Sequence, residues 1–198
     1  MPISSRCAVG IDEVGRGPVA GPVTVGVCVV PEGFDLRSFE GIRDSKKLSQ
    51  KKRESWFLKL TELKAQGKLD FACASVPAFE IDAIGISKAI EKAMSEALGA
   101  LGLDPELSDV YLDGSLRAPK EFASQQTIIK GDEKVPVISA ASIAAKVTRD
   151  RYMEEQAVSY PDYGFEAHKG YGTNAHYLAI KKQGVSPLHR KSFLTAIL

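Results

Sequence analysis

The chain has 198 residues, 44% hydrophobic and 26% charged, with 26 basic and 25 acidic side chains. That is enough for one domain with a sizeable core and too apolar for a disordered chain. No stretch approaches the roughly 20 apolar residues that span a bilayer, residues 1–9 hold no signal-peptide core, and Cys7, Cys28 and Cys73 form no CxxC pair. Membrane, secreted, zinc-knuckle and thioredoxin-like classes are therefore set aside, and a cytoplasmic protein with reduced, buried cysteines is expected.

In chain order, Cys7 to Ile11 reads as a short strand and Val23 to Val30 as a buried, β-branched one. Between them Gly15, Gly17 and Ala20 fit a GxGxxA dinucleotide pattern, with Glu40 at a tolerable distance for a ribose contact. That pattern needs a helix directly afterwards, and Pro18, Gly21, Pro22 and a strand follow instead. A Rossmann site is excluded, and so is a P-loop, since no GK[ST] follows. The adjacent acids Asp12 and Glu13 close the first strand. A regular strand sends neighbours to opposite faces, but the glycines that follow can break the pleat and turn both carboxylates to one spot. Gly15-Arg16-Gly17 sets a phosphate-matching fork between residues that let backbone approach a ligand closely.

Arg43, Lys46, Lys47, Lys51, Lys52 and Arg53 face a single acid, Asp44, before and inside a helix that Ser49 caps and Gly67 ends, running to about Gln66. Cations at a helix N-terminus oppose its dipole, a conflict that bound phosphates relieve. Lys68 to Val76 reads as a third strand. Ser87 starts an amphipathic helix with Ile86, Ile90, Met94, Ala97, Leu98 and Leu101 on one face. Two further short strands, Val110-Tyr111-Leu112 and Thr127-Ile128-Ile129, run into Asp113-Gly114 and Lys130-Gly131-Asp132. Each is by itself an ordinary turn aspartate. Three strand ends carrying acids form a pattern, because converging carboxylates ionise cheaply only around cations. An all-oxygen site suits Mg²⁺ or Mn²⁺.

Ser139 to about Tyr160 reads as a long helix, with Ser139, Ser142, Lys146 and Arg149 as a polar stripe and alanines packing on the sheet. Asn174 caps a last helix that Gly184 ends. From Ala167 onward there is no acid, while Lys169, Lys181, Lys182, Arg190 and Lys191 supply a second basic lobe. His168-Lys169-Gly170-Tyr171-Gly172-Thr173 places an aromatic between glycines, suited to stacking on a sugar or base. Strands alternating with helices give one α/β domain with a mixed sheet, to which residues 161–198 add a helical appendage.

Six motifs in this order resemble bacterial ribonuclease HII, the type 2 ribonuclease H family. They are DEVGRGPVAGPV (Asp12 to Val23), DSKKLS (Asp44 to Ser49), YLDG (Tyr111 to Gly114), KGDEKVPVISAASIAAKVTRDR (Lys130 to Arg151), YGFEAHKGYGT (Tyr163 to Thr173) and HRKSF (His189 to Phe193). The resemblance implies a ribonuclease H-like fold, a mixed β-sheet flanked by helices with a C-terminal helical region. It implies one catalytic domain over residues 1–198. The implied reaction is hydrolysis of RNA in RNA–DNA hybrids, and on the 5′ side of single ribonucleotides in duplex DNA, leaving 5′-phosphate and 3′-hydroxyl ends. It gives the metal-binding catalytic acids as Asp12, Glu13, Asp113 and Asp132, with two Mn²⁺ or Mg²⁺ ions in catalysis. It gives Gly15, Arg16, Gly17 and Tyr171 to the substrate, and Lys46, Lys47 and Ser139 to its backbone. The partners implied are hybrid and ribonucleotide-containing duplexes, bound by a monomer in DNA replication and repair. No clamp-binding tail of the kind some archaeal relatives carry follows Phe193, so recruitment to a sliding clamp is not expected.

Overall fold

The computed structural model describes residues 5–42 and 48–195. Its centre is a five-stranded mixed sheet in the order β3-β2-β1-β4-β5. The strands are β1 (Cys7–Val14), β2 (Val23–Pro31), β3 (Asp70–Val76), β4 (Ser108–Asp113) and β5 (Gln125–Ile128). β1, β2 and β3 pair antiparallel, whereas β4 runs parallel to β1 and β5 parallel to β4. The helices are α1 (Gln50–Ala65), α2 (Ala78–Ile84), α3 (Ile86–Leu101), α4 (Gly131–Lys134), α5 (Pro136–Ser159), α6 (Phe165–His168) and α7 (Asn174–Gln183). None is long and apolar enough to cross a membrane, among the described residues.

Both faces of the sheet are covered, which is why Val23 to Val30 is buried throughout and reads as a continuous apolar run. On one face Cys7, Val9, Ile11, Val25 and Val27 pack against Ala89, Ala93, Met94 and Ala97 of α3. On the other, Ala8, Cys28 and Val30 meet Leu60 and Leu63 of α1 and Val137, Ala140 and Ala141 of α5. Glycine lets α5 lie this close: a Cβ on Gly10 would sit 2.3 Å from the Val137 carbonyl, and one on Gly26 2.3 Å from the Ala141 oxygen. Cys7 and Cys28 are buried and Cys73 is half-buried, all three as free thiols.

Several boundaries differ from the sequence reading. β1 runs to Val14 because its ladder with β2 continues through Glu13↔Val25 and Val14↔Thr24. α2 was not anticipated; Gly85, at φ +82°, separates it from α3. The fifth strand is shifted toward Gln125, leaving Ile129 exposed. α5 begins at Pro136, whose ring presets the first helical turn, three residues before Ser139. Thr173, rather than Asn174, caps α7, its side chain accepting from the His176 N–H.

After α5 the chain forms short helices around Phe165 and returns to the sheet. Ala20 bridges His189, and Asp82 of α2 accepts from the Lys191 and Ser192 N–H groups.

Candidate active site

The β1–β4 ladder ends at Ile11↔Leu112. One residue beyond, at the carboxyl ends of these parallel strands, stand Asp12 and Asp113. Period-two alternation directs both to the α5 face, since Ile11 and Leu112 belong to the α3 side. Asp132 arrives from α4. Lys130 enters that turn at φ +55°, and the N–H of Gly131 donates to Asp113 Oδ1 at 2.7 Å. Ser139 Oγ donates to the Asp132 carbonyl at 2.6 Å from within the protein, tying this turn to α5. Asp12, Asp113 and Asp132 each bring one carboxylate oxygen within 4.8 Å of the others.

Glu13 is not in this group of three. The β1–β2 ladder continues past Asp12 rather than breaking there, and Glu13 pairs instead with Arg16, whose Nη1 lies 3.2 Å from its Oε1. It lies close enough to act electrostatically. Burial pushes the Asp12 carboxyl up to about 8; the charges of Glu13 and Asp113 add to the rise, while hydrogen bonds from Ser142 and the Glu13 N–H oppose it. Glu13 is raised too, by burial first, against the pull of Arg16. Two buried carboxylates and a half-buried third are costly to gather around nothing, and their hard oxygens suit a divalent cation such as Mg²⁺ or Mn²⁺.

The loop from Gly15 to Pro22 sits beside this cluster. Two arginines with no solvent exposure hold it from behind. Arg190 donates to the carbonyls of Gly15 (2.7 Å), Gly21 (2.9 Å) and Arg16 (3.1 Å). Arg149 donates to Pro22 (2.8 Å), Lys169 (2.9 Å) and Ala20 (3.1 Å). Gly15 has φ +88°, and a Cβ there would meet Arg149 Nε at 2.3 Å. With its carbonyls turned inward, the loop presents Gly17 to open space and leaves the Arg16 side chain half exposed.

Tyr171 is on a second loop fastened to the first, because the Gly170 carbonyl accepts from the N–H groups of Val19 and Ala20. Its ring is exposed, with Lys146 Nζ 5.8 Å and the Arg149 guanidinium 5.9 Å from the ring centre.

The structure thus joins Asp12, Asp113 and Asp132, links the Gly15-Arg16-Gly17 loop to the neighbouring Glu13 through Arg16, and ties the Tyr171 loop to that loop through the Gly170 carbonyl. Ser139 is buried and serves Asp132, while Lys46 and Lys47 lie outside the described residues. Sequence reasoning missed the bracing roles of Arg149 and Arg190. It placed Arg149 in a polar stripe and Arg190 in a basic lobe, and no local signal separates a buried guanidinium from an exposed one.

Residues 9–196 match the family model described as ribonuclease HII. The ribonuclease HII of Coxiella burnetii (strain Dugway 5J108-111) is 48% identical over 192 residues, covering 96% of this chain and 89% of the relative. That of Shouchella clausii (strain KSM-K16) is 47% identical over 184 residues, covering 93% of this chain and 67% of the relative. The crystal structure of the ribonuclease H2 from Pyrococcus horikoshii OT3 superposes with a TM-score of 0.73 at 32% identity, covering 94% of this chain and 93% of that one.

Proposed function

We propose, from the premise that this chain belongs to the ribonuclease HII family, that it cleaves its substrate with divalent cations held by Asp12, Asp113 and Asp132. As a member of that family it is a ribonuclease H, an endonuclease acting on RNA–DNA hybrids. The observation that carries the metal reading is the convergence of three carboxylate oxygens within 4.8 Å at the end of parallel strands. Cations bound there, Mn²⁺ or Mg²⁺ and two in number during catalysis, supply an activated water and offset the charge that develops on the phosphate.

The chain's own residues do the rest. Asp12 and Asp113 present oxygens from rigid strands, and Asp132 from a turn pinned to Asp113 through the Gly131 N–H. Glu13 completes the acid set from the next position of β1, its carboxylate steadied by Arg16. Gly17, with no side chain and open space before it, lets backbone reach the ribose, and Arg16 supplies a fork for the adjacent phosphate. Tyr171 stacks on the sugar beyond the junction, so the same site cuts 5′ of a single ribonucleotide in duplex DNA, leaving 5′-phosphate and 3′-hydroxyl ends. Ser139 serves the backbone grip indirectly, by fixing the Asp132 turn. The chain is read as a monomer working as one catalytic unit, with residues 161–198 included. Its place is the cytoplasm, removing ribonucleotides during replication and repair.

A nuclease of similar fold acting on plain DNA is the rival, and the Gly-Arg-Gly loop and Tyr171 favour the reading of a 2′-hydroxyl. The test is digestion of three labelled duplexes: all DNA, DNA with one ribonucleotide, and an RNA–DNA hybrid. Each is run with Mg²⁺, Mn²⁺ or excess EDTA. Cleavage of both ribonucleotide-containing substrates, with metal only, is expected. Equal cutting of plain DNA, or full activity in EDTA, overturns the proposal.

A further inference from the structure

All three histidines of the chain surround the backbone on either side of Tyr171. Their partners fix each proton. The Ser186 N–H donates to His189 Nδ1 at 2.9 Å, so that nitrogen is an acceptor and His189 carries its proton on Nε2. That proton points at His176 Nε2, 3.1 Å away, which must then be an acceptor. His176 is left with its proton on Nδ1, aimed at the Tyr171 carbonyl at 2.9 Å. The result is a one-directional relay from Ser186 through His189 and His176 to Tyr171.

His168 completes the brace. Its Nδ1 accepts from the Gly170 N–H at 3.2 Å, its Nε2 donates to the Tyr163 carbonyl at 2.8 Å, and its ring stacks on His176 with centroids 4.2 Å apart. The Gly170-Tyr171 dipeptide is therefore held at the Gly170 N–H by His168 and at the Tyr171 carbonyl by His176, and the two imidazoles stack. His176, His189 and Ser186 are buried, whereas the Tyr171 ring they support is exposed. Besides the histidines, the loop is held by the Tyr171 N–H bond to the His168 carbonyl, the Thr173 N–H bond to the Tyr171 carbonyl and the Val19 and Ala20 N–H bonds to the Gly170 carbonyl, so His176 supplies the one side-chain donor on the Tyr171 carbonyl among the described residues. A short loop next to glycines at 170 and 172 has wide backbone freedom to lose on binding, and bracing removes that cost beforehand.

We propose that His176 and His189 are positioning residues for substrate choice: their relay holds Tyr171 ready to stack at the junction of a ribonucleotide with DNA. The inference rests on the reading of Tyr171 given above. It concerns selectivity, since the bonds of both imidazoles go to Tyr171, Ser186 and each other and to none of the acids among the described residues, and hybrids offer many alternative registers that lessen dependence on one stacked ring.

The experiment measures kcat/KM on a single-ribonucleotide duplex and on a long hybrid, at one salt concentration, for five proteins: the parent, His176→Leu, His176→Asn, Tyr171→Ala and the double variant Tyr171→Ala/His176→Leu. His176→Leu should lower the single-ribonucleotide-to-hybrid ratio about three- to tenfold, what one lost hydrogen bond is worth. His176→Asn keeps an N–H donor near the position of Nδ1 and should return the ratio to within about twofold of the parent. In the Tyr171→Ala background His176→Leu should leave the ratio unchanged, because the ring it positions is gone. The hybrid rate of each variant reports its folding, and if His176→Leu fails to fold, the Asn variant is read against His189→Gln and His189→Leu in the same way. An unchanged ratio in His176→Leu with a lowered one in Tyr171→Ala overturns the relay and leaves the junction reading standing. An unchanged ratio in Tyr171→Ala removes both.

Discussion

Arg190 Nη2 donates to the Gly15 carbonyl at 2.7 Å across 175 positions of sequence, from a side chain with no solvent exposure. A residue of the C-terminal region therefore shapes the loop that leaves the first strand. Burial first, and then the neighbouring charge of Arg149, lower the Arg190 pKa, and its three carbonyl bonds hold the cation in place against that cost.

Replacing Arg190 by lysine keeps the charge but offers one ammonium where a planar fork reached Gly15, Arg16 and Gly21. Stability should fall by about 3 kcal/mol, the scale for breaking a buried charged network. Cleavage of both substrates should fall with it, as the loop relaxes. Urea unfolding and steady-state rates check this, and parental stability in Arg190→Lys would show that the loop needs no such brace.

Asp12→Asn and Asp113→Asn should each lower cleavage by roughly a thousandfold or more, the several kcal/mol a catalytic cation contributes. Circular dichroism should show the fold retained. For Asp12→Asn the metal-free protein should unfold at a higher temperature, because a buried acid crowded by Glu13 and Asp113 is neutralised. Substrate binding without metal should hold level or improve. Near-parental turnover in saturating Mg²⁺ would remove that residue from the site.

Cation binding should depend on pH through Asp12, whose metal-free carboxyl sits at about 8. Below that value a cation must displace a proton, so apparent affinity rises with pH from 6 to about 8 and levels off above, by at most tenfold per unit. Calorimetric titration with Mn²⁺ in buffers of differing ionisation enthalpy reads the released proton directly. Ca²⁺ should bind and support substrate binding but little hydrolysis, given its looser coordination at about 2.3–2.6 Å. A pH-independent affinity would place the metal away from Asp12.

The histidine relay sets a second pH dependence, in stability. Burial pushes His176 down to about 4 and lowers His189 as well. The unfolded chain protonates near the ordinary histidine value of about 6.5, before the folded one does. The stabilisation is therefore complete above pH 6.5 and is lost as pH falls from there toward 4. Melting temperature should drop over that window in the parent and drop less in His176→Asn, which has no titrating imidazole at this position. Parallel pH profiles for the two proteins would contradict a neutral, buried His176.

Much of the architecture is legible locally. β-branched runs mark β2, a 3.6-residue apolar period marks α3, and Ser49 and Gly184 mark helix ends where the structure has them. Asp12 and Asp113 are legible as strand-end acids because ligands collect at the carboxyl ends of parallel strands, and motif order carried the family. What local reading could not decide is which way side chains face once strands pair. Glu13 falls outside the three-carboxylate group and pairs with Arg16, on a strand whose ladder with β2 continues through Glu13↔Val25 and Val14↔Thr24 instead of breaking at the glycines next door.

The same holds for every group that braces the site. By itself the sequence determined most of the elements and the family, since periodicity, capping and motif order act over short spans. Only the tertiary structure decided that Arg149 and Arg190 are buried behind a loop 127 to 175 positions away, and that His189 Nε2–H donates to His176 Nε2. Burial turns a charge from a solvated surface group into one that must find every partner inside the protein. Which partners are available depends on contacts between distant segments, which no local pattern of residues records.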